Sequence, residues 1–356
     1  MPSDSEMSLS QYKTVFSDTL KNGIGMKPKE IFLRALKRKT VPRPATGSAT
    51  SIATIDLMDK VGFYFPDVHT NEEKMAGLAA SGYTELGFDN VMPLFSVCHE
   101  SVALGCRADW GEIDRMPDCR GGLYGIEDDI IIPDDLLNKP SCRTPINALK
   151  IIKKRFGEEI AVVGKVFGPW TLGYHIFGIE EFLISTIINP DAVKRAIAKL
   201  KEVSVLFAKA QIEAGADAIC LADHATRDLC SPDAYKEFLF EIHCELSERI
   251  PCPKILHICG DTSDRIGYIR QTGLDCFHYD SKVPAGEARE LAGENLSLMG
   301  GTSNFEIIRK GTPETIINDV REKIDNNIDI IGPECAVPLD APYINMKTLA
   351  DAVKKT

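Results

Sequence analysis

The sequence predicts an α/β fold, a closed (β/α)8 barrel of the TIM type with a helical extension at its N-terminus. Three observations lead there. Short apolar stretches alternate with helical stretches along the chain, the pattern of a parallel sheet covered on both faces. Eight such strand units can be counted from Val41 to Gly332. The chain carries neither GxGxxG nor GxxxxGK[ST], so nothing marks the phosphate-binding turn of an open, doubly wound sheet. With 356 residues, 44% of them hydrophobic, it can bury the core of one large barrel.

Residues 1–25 read as a polar leader ending in glycine, with a helix over residues 12–20. The barrel domain is expected over residues 26–356. Residues 26–39 place Ile31, Phe32, Ala35 and Leu36 at helical spacing, with basic residues on the opposite face. Residues 41–47 are the first strand, and helices follow over 50–60 and 71–81. Residues 90–97 are the second strand, ending at Cys98-His99-Glu100. Residues 105–142 are rich in Gly, Pro and Asp and read as a loop-and-hairpin insertion. A loop that long in a compact domain usually has a function, so it is expected beside the barrel mouth. Its acidic residues lack calcium-loop spacing and read as a solvated face. The regular part then runs helix 145–156, strand 160–167, helical segments 169–188 and 191–214, and strand 216–222. A helix capped by Ser231, with Pro232 in its first position, runs to about residue 248. Strands over 254–259, 275–280, 296–301 and 328–332 alternate with helices over 263–271, 285–291, 313–326 and 345–354.

Barrels of this kind keep their chemistry at the C-terminal ends of the strands. Here those ends carry Lys165, Asp223, His224, His257, Cys259, Asp280, Thr302, Ser303 and Cys335. His257 and Cys259 leave the fifth strand on the same face, one pleat apart. Cys335 leaves the eighth strand at a Pro/Gly-rich exit, so the three can meet across the mouth. One imidazole and two thiolates suit a tetrahedral zinc with its fourth position open, the mark of a catalytic site. The alternative is plain burial, since cysteine is among the residues most often buried without a chemical role.

Charge and composition exclude several classes. Lys and Arg number 41 against 52 Asp and Glu, a net charge of −11, which argues against nucleic acid or an anionic membrane as partner. No run approaches the ~20 apolar residues of a membrane span. Eleven scattered cysteines do not form a disulfide framework and read as reduced thiols of a cytoplasmic protein. None of the seven histidines forms the HxH pair of a barrel metallohydrolase.

The motif His257-Ile258-Cys259-Gly260-Asp261, with Gly332-Pro333-Glu334-Cys335-Ala336-Val337-Pro338 and the exit Ala222-Asp223-His224, resembles the methylcobalamin:coenzyme M methyltransferases. These are a branch of the uroporphyrinogen decarboxylase superfamily, and the resemblance runs from about Met26 to the end. It implies a (β/α)8 barrel and one zinc per chain held by His257, Cys259 and Cys335. It implies methylcobalamin as donor, on a separate methylated corrinoid protein, and coenzyme M as acceptor, in methanogenesis from methanol or methylamines. The decarboxylases read their many-carboxylate substrate with an arginine-containing N-terminal signature. The corresponding stretch here, Thr46-Gly47-Ser48-Ala49-Thr50-Ser51, has none, which argues against a porphyrinogen.

Roles for other residues follow by position. Lys165, Arg227, Thr302, Ser303 and Asn304 are candidates for the coenzyme M sulfonate. Asp223 and His224 are candidates for proton removal or for facing the corrinoid. Asp280 is a candidate partner for the second nitrogen of His257, and Glu334 for the open metal position. Trp110, Trp170 and the remaining histidines and cysteines read as structural. The competing functions are a metal-free decarboxylating lyase and a non-catalytic barrel with a structural zinc.

Overall fold

The structure, a computed structural model, describes residues 25–356. The helix expected in the leader lies outside the described residues. Eight parallel strands form the barrel: β1 (Ala45–Thr46), β2 (Asn90–Val91), β5 (Ala161–Phe167), β6 (Ala218–Ala222), β7 (Lys254–His257), β8 (Cys276–Tyr279), β9 (Ser297–Thr302) and β10 (Ile330–Pro333). Their order is β1-β10-β9-β8-β7-β6-β5-β2. The remaining two strands, β3 (Arg107–Asp109) and β4 (Asp118–Arg120), pair antiparallel as a hairpin inside the expected insertion. The long barrel strands are mostly apolar because helices cover the outside while side chains fill the inside; all seven residues of β5, Lys165 included, are buried.

Side chains complete the ring between β1 and β2. The Asp89 amide donates to the Thr46 carbonyl at 2.7 Å, and the Asp89 carboxylate accepts from the Thr46 amide at 2.8 Å. Asn90 mimics a strand partner: Oδ1 accepts from the Ser48 amide at 3.0 Å, and Nδ2 donates to the Ser48 carbonyl at 2.8 Å. The fully buried Asp89 is offset by Arg43, bound through two nitrogens at 2.7 and 2.8 Å.

Several boundaries differ from expectation, among them the first strand, which is only Ala45–Thr46, and the fifth, which ends at His257; three others differ for a clear local reason. The second strand stops at Val91 rather than Val97, because Pro93 has no amide to continue the ladder. Side chains replace the missing length. Gln211 binds both the amide and the carbonyl of Lys165, at 2.9 and 2.8 Å. Glu100 accepts the Phe167 amide at 2.8 Å, and Ser204 donates to the Phe167 carbonyl at 2.6 Å. The helix expected from residue 145 starts at Pro140 and carries Pro145 inside it. Pro145 cannot donate to the Ser141 carbonyl one turn back. His99 Nδ1 takes that carbonyl instead, at 2.9 Å. The helical stretch 169–188 is two helices, Pro169–Phe177 and Ile179–Ile188, parted by Gly178 at φ 85°.

Helix Pro190–Glu213 begins on Asn189, whose side chain caps the Ala192 amide. Ser204 is level with the end of β5, as its bond to Phe167 shows. Residues 190–203 therefore stand above the rim, by about 20 Å at 1.5 Å per residue. The insertion rests against this raised side. Leu123 donates its amide to the Ile176 carbonyl at 2.7 Å, and Ile126 donates to Glu181 at 3.0 Å. It thus lies on the side of the strand C-termini. Among the described residues, no helix is long and apolar enough to cross a membrane.

Candidate metal centre

His257 is the last residue of β7, and Cys259 follows where the chain leaves the sheet. Gly260 makes the turn at φ 83°, and a Cβ there would meet Thr226 Oγ1 at 2.2 Å, so only glycine fits. Asp280 holds the turn by accepting the Gly260 amide at 2.8 Å. Cys335 lies just past β10. Its sulfur is 3.4 Å from His257 Nε2 and 3.5 Å from the Cys259 sulfur. All three ligand atoms fall within 4.8 Å of one another. A tetrahedral zinc with bonds of ~2.3 Å to sulfur and ~2.05 Å to nitrogen spans S–S edges of ~3.8 Å and S–N edges of ~3.6 Å. The two edges from Cys335 match these values to within a few tenths of an ångström, and the third is short enough for one ion to bridge.

The surroundings hold the trio in place. His257 Nδ1 is 3.3 Å from the His278 carbonyl, which aims Nε2 at the sulfurs. That carbonyl takes the place expected for Asp280, whose two oxygens serve the Gly260 and Lys282 amides. His278 and His257 are register partners on adjacent strands. His278 Nε2 bonds the Pro333 carbonyl at 2.8 Å and so ties β8 to the exit that carries Cys335. Glu334 does not stand in the open metal position. Its carboxylate accepts the Asn304 amide at 2.7 Å and the Ser281 amide at 3.0 Å, bracing the ends of β8, β9 and β10. Burial pushes the Glu334 carboxyl above its usual range. Cys335 is held well below the usual thiol range, first by its hydrogen bond with Cys259 and then, against desolvation, by the His257 ring. The Cys259 thiol is pushed up by the same pairing and by burial.

Residues 27–356 match the uroporphyrinogen decarboxylase (URO-D) family. The chain is 33% identical over 304 residues to a methylated-thiol–coenzyme M methyltransferase of Methanosarcina mazei, covering 85% of this chain and 82% of that one. It is 29% identical over 323 residues to a methylcobamide:CoM methyltransferase of Methanosarcina barkeri, covering 90% and 95%. A solved methyltransferase from Methanosarcina mazei superposes with a TM-score of 0.90 at 28% identity, covering 93% of this chain and 99% of that one.

The chain belongs to the uroporphyrinogen decarboxylase family. Within it, the chain is an enzyme of the methyltransferase branch.

In this methyltransferase the remaining strand-end residues fall into two groups. Asp223 is fully engaged below the mouth. Oδ1 accepts from the Thr171 amide at 2.8 Å and its hydroxyl at 3.2 Å, and Oδ2 lies 3.2 Å from His243 Nε2. Gly168 permits this approach, since a Cβ there would sit 2.1 Å from the Asp223 carboxyl carbon. The Thr302 hydroxyl points outward to Asp319 at 2.8 Å. Ser303 caps the turn of helical backbone after β9 through the Glu306 amide. Asn304 donates to the Ala336 carbonyl at 2.8 Å, and Arg227 pairs with Asp261 at 3.0 Å.

His224 and Lys165 face the centre instead. His224 is exposed on the rim; desolvation of its ring lowers its pKa while the Cys335 charge opposes that. Its loop is fixed by Arg265, a fully buried cation that donates to the Ala225 and Cys230 carbonyls. Lys165 is buried inside the barrel, its pKa lowered by desolvation against the charges of Cys220, Glu100 and Cys335. Sequence reasoning did not find the supporting roles of His278, His243 and Arg265. Only His278 left a signal, its position in register with His257.

Proposed function

We propose that this methyltransferase moves a methyl group from a methylated cobamide, carried on a separate corrinoid protein, to the thiol of coenzyme M. One zinc per chain, held by His257, Cys259 and Cys335, serves the reaction. The observation that carries this reading is the convergence of one imidazole nitrogen and two sulfurs at the open end of the barrel, all within 4.8 Å of one another. The relatives' names supply the donor and acceptor classes. Bound there, zinc would take the acceptor sulfur as a thiolate at neutral pH, where the free thiol is mostly protonated.

The chain's own residues set the electronics and the geometry. Cys259 and Cys335 contribute two negative charges that offset the ion's, so an added sulfur keeps its electron density. His257 adds a neutral donor, oriented by the His278 carbonyl. The sulfur–carbon bond forms as the cobalt–carbon bond breaks. The electron pair of the broken bond stays on cobalt, and the thiol proton passes to solvent. The methyl group originates upstream from methanol or methylamines or, in view of the methylated-thiol relative, from a methylated thiol. The reaction is proposed for the cytoplasm, where the eleven free cysteines stay reduced.

Mixing the purified chain with methylcobalamin and coenzyme M tests the reading, followed by the corrinoid spectrum. Demethylation that needs both the thiol and zinc supports it. A zinc-free preparation with full activity would refute it, as would decarboxylation of a porphyrinogen. Binding offers a second check. Because the bound sulfur is a thiolate, coenzyme M should release about one proton at neutral pH. Its affinity should rise about tenfold per pH unit below the free thiol's pKa and flatten above it. Calorimetry in two buffers of different ionisation enthalpy counts the protons; tight binding with a count near zero would mean the thiol never reaches the metal.

A further inference from the structure

Lys165 has an unusual position for a lysine. It is 4% exposed, yet its ammonium has no carboxylate or other hydrogen-bond acceptor among the described residues. The ammonium lies over the Phe167 ring, 5.1 Å from its centroid. Phe167 is in register with Ala222, and Ala222 with His257. The ammonium has therefore risen from the Lys165 layer to the layer of the metal centre. A buried charge without a partner is costly, so such groups are normally paired.

Three further buried residues with unused polar atoms adjoin Phe167: Glu100 accepts its amide, and His99, the neighbour of Glu100 in the chain, lies 6.4 Å from His69 between ring centroids. Both ring nitrogens of His69, Nε2 of His99 and Oε2 of Glu100 lack partners, and all three residues are fully buried. Trp110, from the hairpin of the insertion, organises the rings. It stacks on His69 at 5.6 Å between centroids and an interplanar angle of 18°, and meets His99 at 5.4 Å. Burial, with the His99 ring and then the Lys165 charge adding to it, lowers the pKa of His69 to about 3. The neutral His69 ring keeps one N–H free to donate. His99 has its Nδ1 on the Ser141 carbonyl and fixes Trp110 from the other side. Glu100 is the one acid among these groups, and burial raises its pKa to about 7, which softens its repulsion of an anion.

We propose that Lys165 and His69, with the wall of Trp110 and His99 behind them, form the anion-reading end of the acceptor pocket. This arrangement selects a short thiol whose far end carries a negative charge. The proposal rests on the methyl-transfer reading above and assigns its acceptor specificity. It also gives the insertion a role, since Trp110 completes a wall that the barrel strands alone do not make. Thr302, Ser303 and Asn304 are not part of it, since their donors serve Asp319, a helix cap and Ala336, and the one free side-chain atom of Asn304 is an oxygen that cannot donate to an anion.

The test compares coenzyme M with 2-mercaptoethanol, a neutral thiol of similar length, on the zinc-loaded full chain. Calorimetry gives the ratio of their dissociation constants without any turnover, and methylcobalamin demethylation gives the ratio of kcat/KM. Wild-type protein should prefer the sulfonate in both. Lys165→Met should lower the preference about ten- to hundredfold, the worth of a hydrogen bond to a charged group. His69→Phe should lower it about tenfold, since the ring N–H donates to the same charged acceptor. If either variant weakens both thiols equally, so that the ratio stands, the residue is structural and the proposal is overturned. It is also overturned if wild-type protein does not discriminate. A wild type that binds coenzyme M selectively but leaves methylcobalamin untouched would sink the methyl-transfer reading and leave the pocket standing.

Discussion

Cys335→Ala and Cys259→Ala are each expected to leave the purified chain with little zinc and to reduce methyl transfer by orders of magnitude. Loss of a group that merely orients a metal ligand costs about 10–100-fold in affinity. Loss of one of three protein ligands costs more, since only two remain to hold the ion. The change should be local. The exit that carries Cys335 is braced independently by Glu334 and by the bond from His278 to the Pro333 carbonyl. Thermal midpoints of the metal-free proteins should therefore stay close to that of the metal-free wild type. Cys230→Ala and Cys252→Ala are the controls, and should keep one zinc per chain. Metal analysis after dialysis against a weak chelator decides the matter. Full retention of zinc in both ligand variants would remove the centre proposed here.

The second large effect concerns stability. Asp223→Ala removes the acceptor for the Thr171 amide, the Thr171 hydroxyl and the His243 ring, all in a fully buried setting. Leaving buried groups unpaired costs ~1–3 kcal/mol each, and breaking a buried charged network ~3–5 kcal/mol in all. We expect a loss of about 3–5 kcal/mol, read as a lower midpoint in urea. The same network runs on through His243 to the Tyr235 hydroxyl at 3.0 Å, so Tyr235→Phe should cost less in the same direction. An Asp223→Ala protein as stable as wild type but devoid of methyl transfer would show instead that Asp223 acts on the substrate.

The barrel was legible because its strands are apolar on both faces and its helices begin on Ser, Asn and Pro. The pairing of a strand-end His-x-Cys with a second strand-end cysteine was legible for a related reason, since strand ends of a closed barrel converge. What a strand end does not reveal is the face on which a side chain emerges. Thr302 was a reasonable pocket residue by position, but its hydroxyl turns outward to Asp319. Nor does sequence show which of several oxygens a buried histidine finds. Asp280 was the chemical choice for His257, yet the His278 carbonyl lies nearer in the ladder. The effects of Pro93 and Pro145 on the element boundaries are hidden in the sequence, because the groups they leave unpaired are met by distant side chains. His69 and His99 carried no sequence signal, since their relation to Lys165 exists only once the insertion brings Trp110 alongside.

The early end of β2 has a mechanical consequence. Beyond Val91, the free edge of β5 is held by Gln211, Glu100 and Ser204, three separate side chains on two helices, in place of a continuous ladder. A ladder opens cooperatively, whereas such fastenings can let go one at a time. The wall beside Lys165 should therefore be the most compliant part of the barrel. Native-state hydrogen exchange should find the Lys165 and Phe167 amides less protected than those of β6 and of Ile255 to His257 in β7, although all are buried. A pocket that must release a product one methyl group larger than the thiol it took in gains from having its give on that side.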